Sequence, residues 1–129
     1  MITEDYVSFE TAKLLKEKGF DEPCHALYHD GDDKIFFGLD VDSYRNAILN
    51  ADCYACPTLQ MALKWLREVY RLAIHVELID FLEHGEVWFY GITDIKTVKR
   101  LNIKDEDFTE HSYEQACEAA IKYCLKNLI

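Results

Sequence analysis

Apolar side chains recur at helical spacing in three stretches of this chain and crowd into extended runs in two others. Ser8 stands where a helix N-cap belongs. Phe9, Ala12 and Leu15, flanked by Leu14, make one stripe over residues 9–18, while Lys13, Lys16, Glu17 and Lys18 face water. Gly19 supplies the stop. Two apolar-aromatic runs follow, residues 24–28 and 34–39, around the turn-forming His29-Asp30-Gly31-Asp32-Asp33, and this predicts a β-hairpin. Pro57 suits the first turn of a second helix, in which Leu59, Ala62, Leu63, Leu66, Val69 and Tyr70 recur and Trp65 lies half-buried on the flank. Residues 74–79 and 86–92 predict a second hairpin with its turn near His84-Gly85. There Val87 and Phe89 alternate with Trp88, Tyr90 and Ile92, so both faces carry bulky groups. A sheet covered on both faces, or a dimer contact, would account for that. Ser112 with Gln115 three residues on has the capping-box form and opens a last helix, where Cys117 and Cys124 fall on a core stripe.

Two stretches resist the pattern. Residues 40–55 read as loop with a short strand or a turn of helix. Residues 93–111 are charged and too long for a bare connection, so short local structure is expected. The element order is αββ-αββ-α. It implies an α+β fold, an antiparallel sheet with helices packed against it, whether the strands form one sheet or two. At 129 residues the expectation is a single domain spanning 1–129.

Charge narrows the partners. With 24 acidic against 14 basic residues the net charge is -10, which opposes binding to nucleic acid or anionic lipid and leaves open a protein partner with a basic face. The start MITEDYVSFE lacks a signal-peptide pattern, and no apolar run approaches the ~20 residues that span a bilayer. Five cysteines, an odd number, point to a reducing cytoplasm.

The one chemically suggestive motif is Cys53-Tyr54-Ala55-Cys56, immediately before the second helix. If that segment folds back on the first hairpin, Cys53 and Cys56 could join Cys24, His25 and His29 around a zinc ion, because thiolate and imidazole are what zinc selects. The bland alternative is two thiols in a loop. A redox dithiol would need a preceding buried strand in a βαβ unit, which the pattern does not provide. The Asp30-Gly31-Asp32-Asp33 turn lacks calcium-loop spacing, and no nucleotide-binding glycine motif, nucleophile elbow or H-E-x-x-H occurs. Trp88 and Tyr90, if exposed, are the natural anchors for a protein contact, including a homodimer.

Three stretches, YVSFETAKLLKEKGFDEPC (residues 6–24), CPTLQMALKWLREV (residues 56–69) and YEQACEAAIKYCLKNLI (residues 113–129), resemble a family of small uncharacterised proteins of gut anaerobic bacteria and their phages. The resemblance implies a phage- or prophage-related accessory protein and carries over no catalytic residue. Together these readings favour a non-catalytic interaction protein, with a zinc- or small-ligand-binding protein built on the Cys/His group as the alternative.

Overall fold

The computed structural model describes residues 1–38, 44–80, 83, 85–101 and 110–129. Leu39 of the first predicted hairpin, residues 40–43, the turn residue His84 and the acidic run 105–107 lie outside the described residues. The fold is α+β, with three α-helices and two three-stranded antiparallel sheets among the described residues.

Helix α1, Phe9–Glu17, begins where Ser8 Oγ accepts from the Thr11 N–H. It ends because Gly19, at φ 93, lets the Phe20 N–H turn back to the Leu15 carbonyl. Helix α2, Leu59–Val69, is capped by Thr58, whose side chain accepts from Met61 N. Pro57 therefore lies outside the helix, at the end of the preceding strand, and not in the first turn. Val69 is exposed, while Trp65, placed on the flank from sequence, is buried against Phe20 and Tyr70. Helix α3, Tyr113–Tyr123, has the Ser112 cap; Gln115 reaches one residue further back than a capping box requires, to His111 N. The chain then continues as a π-helical turn, Cys124–Leu128. Cys117 and Cys124 are fully buried in the core, as their spacing predicts.

Strands β1, Ala26–His29, and β2, Asp32–Phe37, form the first hairpin. Strand β3, Cys53–Cys56, is the short strand that the sequence reading allowed around residues 40–55 without placing it; it pairs antiparallel with β1 and makes β1 the centre of the order β2-β1-β3. All four of its residues are buried, so no alternation marks it as a strand. Strands β4, Leu72–Asp80, and β5, Val87–Asp94, form the second hairpin, and the short β6, Lys99–Arg100, adds to β5. Each half thus has three strands, but β1 is central in one and β5 in the other. The repeated element order is not a repeated topology.

Leu72, Ile74, Val76 and Leu78 stand opposite Asp94, Ile92, Tyr90 and Trp88, and α2 and α3 lie against this hairpin. A continuous cluster of buried residues joins Phe20 and Leu66 to Ile92, Ile121 and Leu125. Among the described residues, no helix is long and apolar enough to cross a membrane.

The outer edge of β3 is closed by side chains. Asn46, buried, accepts from the Ala55 N–H at 2.9 Å and donates to the Phe20 carbonyl at 2.8 Å. Lys16 Nζ donates to the carbonyls of Cys53 and Asn50 at 2.7 and 3.0 Å. Asp21 holds the turn carrying Asn46, through the Ala47 N–H and Arg45, and these partners keep its carboxyl below the usual aspartate range. Asn46→Ala leaves a buried N–H and a buried carbonyl unpaired, so chemical denaturation should show a loss of about 2–4 kcal/mol. A loss below about 0.5 kcal/mol would mean that water replaces the amide.

Candidate functional site

Strand alternation decides the fate of the Cys/His group. Cys53 and Cys56 are three residues apart on an extended strand, so their side chains leave opposite faces of the sheet. Cys53 stands opposite His29 in register, and Cys56 stands opposite Ala26 on the helix-facing side. Cys24 is buried where residues 24 and 44 form a bridge, and His25 is exposed beside it. Of the five residues proposed from sequence to share a zinc ion, Cys53 and His29 are in direct contact, and Cys24 lies near enough to Cys56 to raise its thiol further. Cys53 Sγ lies 3.4 Å from His29 Nδ1. Among the described residues no group of three His, Cys, Asp or Glu side chains is placed to hold a metal. The correction is geometric: a C-x-x-C knuckle needs a turn, and this one is a strand.

The thiols also sit in surroundings that oppose ionisation. Burial pushes Cys24, Cys56 and Cys124 up to about 12. Cys53 is raised too, by burial first and then by the neighbouring Asp52 carboxylate, whose Oδ1 is 3.7 Å from the sulfur. Cys53 retains 7% exposure against 2% for Cys24 and none for Cys56, Cys117 and Cys124. In the folded protein iodoacetamide should therefore label Cys53 first, at a rate that climbs only at pH above the ordinary thiol range of about 8.5. Asp52→Asn should speed that labelling. Peptide mapping that finds Cys24 or Cys117 labelled first would overturn the ordering.

Trp88 and Tyr90 do not form an exposed pair. They share a side of β5 with Ile92, and the Trp88 ring packs edge-on against Tyr113 of α3 at 5.8 Å. Both are half-buried, Tyr90 against the core. The opposite side of β5 carries Phe89, under the Arg100 guanidinium at 4.6 Å.

Another concavity lies elsewhere. A groove of about 810 Å³ opens where the segment before α1 meets the starts of α2 and α3. Asp5, Glu110, Glu114 and Glu118 line it, with His111 and Lys122 as the basic residues and Tyr6, Tyr28 and Leu59 among its walls. Backbone pairing builds it. The Val7 N–H bonds the Pro57 carbonyl, the Leu59 N–H bonds the Asp5 carbonyl, and Tyr28 Oη donates to the Val7 carbonyl at 2.7 Å. Glu118 fastens its far wall to α1. One carboxylate oxygen, Oε1, accepts from Ser8 N at 3.1 Å, from Thr11 Oγ1 at 2.5 Å and from Ser8 Oγ. Burial raises the Glu110 carboxyl above the ordinary glutamate value, with His111 and Lys122 partly offsetting it.

Sequence reasoning missed this site because its residues come from four distant stretches and each looks like ordinary solvated surface. Comparison with protein-family models, with curated protein sequences and with solved structures gave no match, so the site is read from its geometry. Replacing Glu118 with Ala removes a charged acceptor and leaves the buried Thr11 hydroxyl with Ser8 Oγ, 3.1 Å away, as its side-chain partner. The expected cost is about 2–4 kcal/mol by urea titration, with Glu118→Gln keeping part of it. Equal stability of both variants and the parent would mean that the α1 cap is complete without Glu118.

Proposed function

We propose that this chain is a non-catalytic interaction protein that receives a basic, extended segment of a partner protein in the acidic groove. The observation that carries the reading is the charge of that groove: four carboxylates face one lysine and one histidine around a concavity of about 810 Å³. A chain with a net charge of -10 adds a long-range field that steers a cationic partner toward it. Exposed carboxylates along the walls, Asp5 and Glu114, offer acceptors for lysine and arginine side chains. The raised thiols speak for binding over nucleophilic chemistry, since the thiolate is the reactive form. The alternative, a structural zinc centre, is left with His29 and Cys53, two of the roughly four donors that such a site takes. Five free thiols fit a reducing cytoplasm. An accessory role in a phage or prophage setting rests on the resemblance of the three helical stretches.

A fluorescein-labelled Lys/Arg-rich peptide tests the groove by anisotropy. Binding should weaken at least about tenfold between about 50 and about 500 mM salt. It should weaken similarly in the double variant Glu110→Lys, Glu114→Lys, neither of which carries the α1 clamp. Lowering the pH should release the peptide starting above the ordinary glutamate range, because Glu110 protonates early. No binding at about 1 mM protein, or binding indifferent to the double variant, would remove the proposal.

A further inference from the structure

Opposite charges gather at opposite ends of α2. At its N-terminal end, Leu59 lines the groove together with Asp5, Glu110, Glu114 and Glu118. At its C-terminal end, 11 residues and ~16 Å away, the chain turns through Arg71, at φ 57, into β4. The Arg71 carbonyl accepts from the Ile95 N–H at 2.9 Å, which ties the reversal after β5 to this same end. That reversal is a braced projection. Asp94 Oδ1 accepts from the Lys96 N–H at 2.9 Å, the Asp94 carbonyl accepts from the Val98 N–H at 2.7 Å, and Lys99 pairs back on Asp94. Lys96, Thr97, Val98, Lys99 and Arg100 are all exposed, Val98 at 79%. Residues 67–71 and 94–100 together carry Arg67, Arg71, Lys96, Lys99 and Arg100 against the two acids Glu68 and Asp94. A chain of net charge -10 thus has one basic end.

We infer that the reversal of one copy, residues 96–100, seats in the acidic groove of a second copy. This rests on the groove being a receptor for basic chain, and it narrows the occupant to the protein itself. The chemistry of the two surfaces matches. Lys96 and Lys99 supply cations for the carboxylates of Asp5, Glu110 and Glu114, and Val98 between them supplies apolar surface for the Tyr6, Tyr28 and Leu59 walls. The reversal is already held by its own backbone bonds, so docking orders little further chain. Arg100 lies over the Phe89 ring at 4.6 Å and marks the rim of the contact. Groove and reversal are different surfaces at opposite ends of one chain, so the contact is heterologous. Each copy gives its reversal and receives another, and the assembly is a ring or an open chain. The like net charges of two copies oppose it. At about 0.15 M salt, however, charges more than ~8 Å apart are largely screened, and the complementary faces in contact decide. Still higher salt weakens that contact too.

Sedimentation velocity from about 10 µM to about 1 mM protein at about 0.15 M salt tests the assembly. The parent chain should show species of dimer size and above that dissociate at about 0.5 M salt. Two double variants separate the halves of the contact. Lys96→Glu, Lys99→Glu loses the reversal and keeps the groove; Glu110→Lys, Glu114→Lys loses the groove and keeps the reversal. Each alone should associate at least about tenfold more weakly than the parent while circular dichroism stays native. An equimolar mixture of the two should recover a one-to-one pair that grows no further, because it holds one intact groove and one intact reversal. Lys13→Glu, Lys64→Glu, an equal charge change on exposed helix surface, should associate as the parent does. A parent that stays monomeric, a mixture that stays monomeric, or equal loss in the Lys13, Lys64 control would overturn the inference. The fluorescein-labelled basic peptide tells the two failures apart. Peptide binding by the Lys96, Lys99 variant without any self-association leaves the groove reading standing, whereas no peptide binding removes both.

Discussion

The carboxylate of Glu118 is the contact on which the arrangement of this molecule turns. A helix N-terminus leaves several backbone N–H groups without intrahelical partners and carries partial positive charge. In α1 the Ser8 side chain meets the Thr11 N–H, and Glu118, from another helix, accepts from the Ser8 N–H and from both hydroxyls. Thr11 is fully buried, so its hydroxyl has to be satisfied within the protein. The contact fixes where α3 crosses α1. On the other side of Ser8, the Val7 N–H bonds the Pro57 carbonyl and Tyr28 Oη donates to the Val7 carbonyl, so the segment before α1 is held from both directions. Farther along, Glu10 pairs with Lys122 and Lys126 on the same helix face; these exposed ion pairs are worth little, although they hold the Glu10 carboxyl below its usual range.

The helices were legible because their signals are local. Ser8, Gly19 and Ser112 each act within one turn of the chain, and the stripes on α1 and α3 end in the core where the spacing puts them. The hairpins were legible for a similar reason, although β4 runs two residues further toward α2 than its apolar pattern indicates. Strand β3 was not. Cys-Tyr-Ala-Cys has no polar face to alternate with, and its strand character comes from β1 alongside it, a non-local partner. The zinc expectation took the segment in its loop alternative, in which both thiols could point one way. Strand β6 is two residues long and is held by a reversal in which Val98 adopts φ 55, a conformation that valine rarely takes and that sequence preference argues against.

The groove illustrates why sites resist sequence reading more than folds do. Glu114 and Glu118 are one turn apart on α3 and read as a solvated helix face. Only the N-terminal segment, crossing in front of α3, converts that face into a wall. What distinguishes Glu118 from its neighbour is its hydrogen-bond partners, and those lie on another element more than a hundred positions away. The charge total of the chain was visible from composition, but its concentration at one junction was not.

The sequence distance of 110 residues between Ser8 and Glu118 also has a consequence for biosynthesis. A ribosome adds roughly 5–20 residues per second, so α1 leaves the exit tunnel on the order of ten seconds before its capping carboxylate exists. A nine-residue helix is too short to persist alone in water. During that interval Phe9 and Phe20 have Tyr28, Tyr54 and Trp65 to pack against, while the Ser8 and Thr11 hydroxyls still lack their carboxylate. The full set of hydrogen bonds at the α1 cap is therefore a late event, set by the arrival of α3.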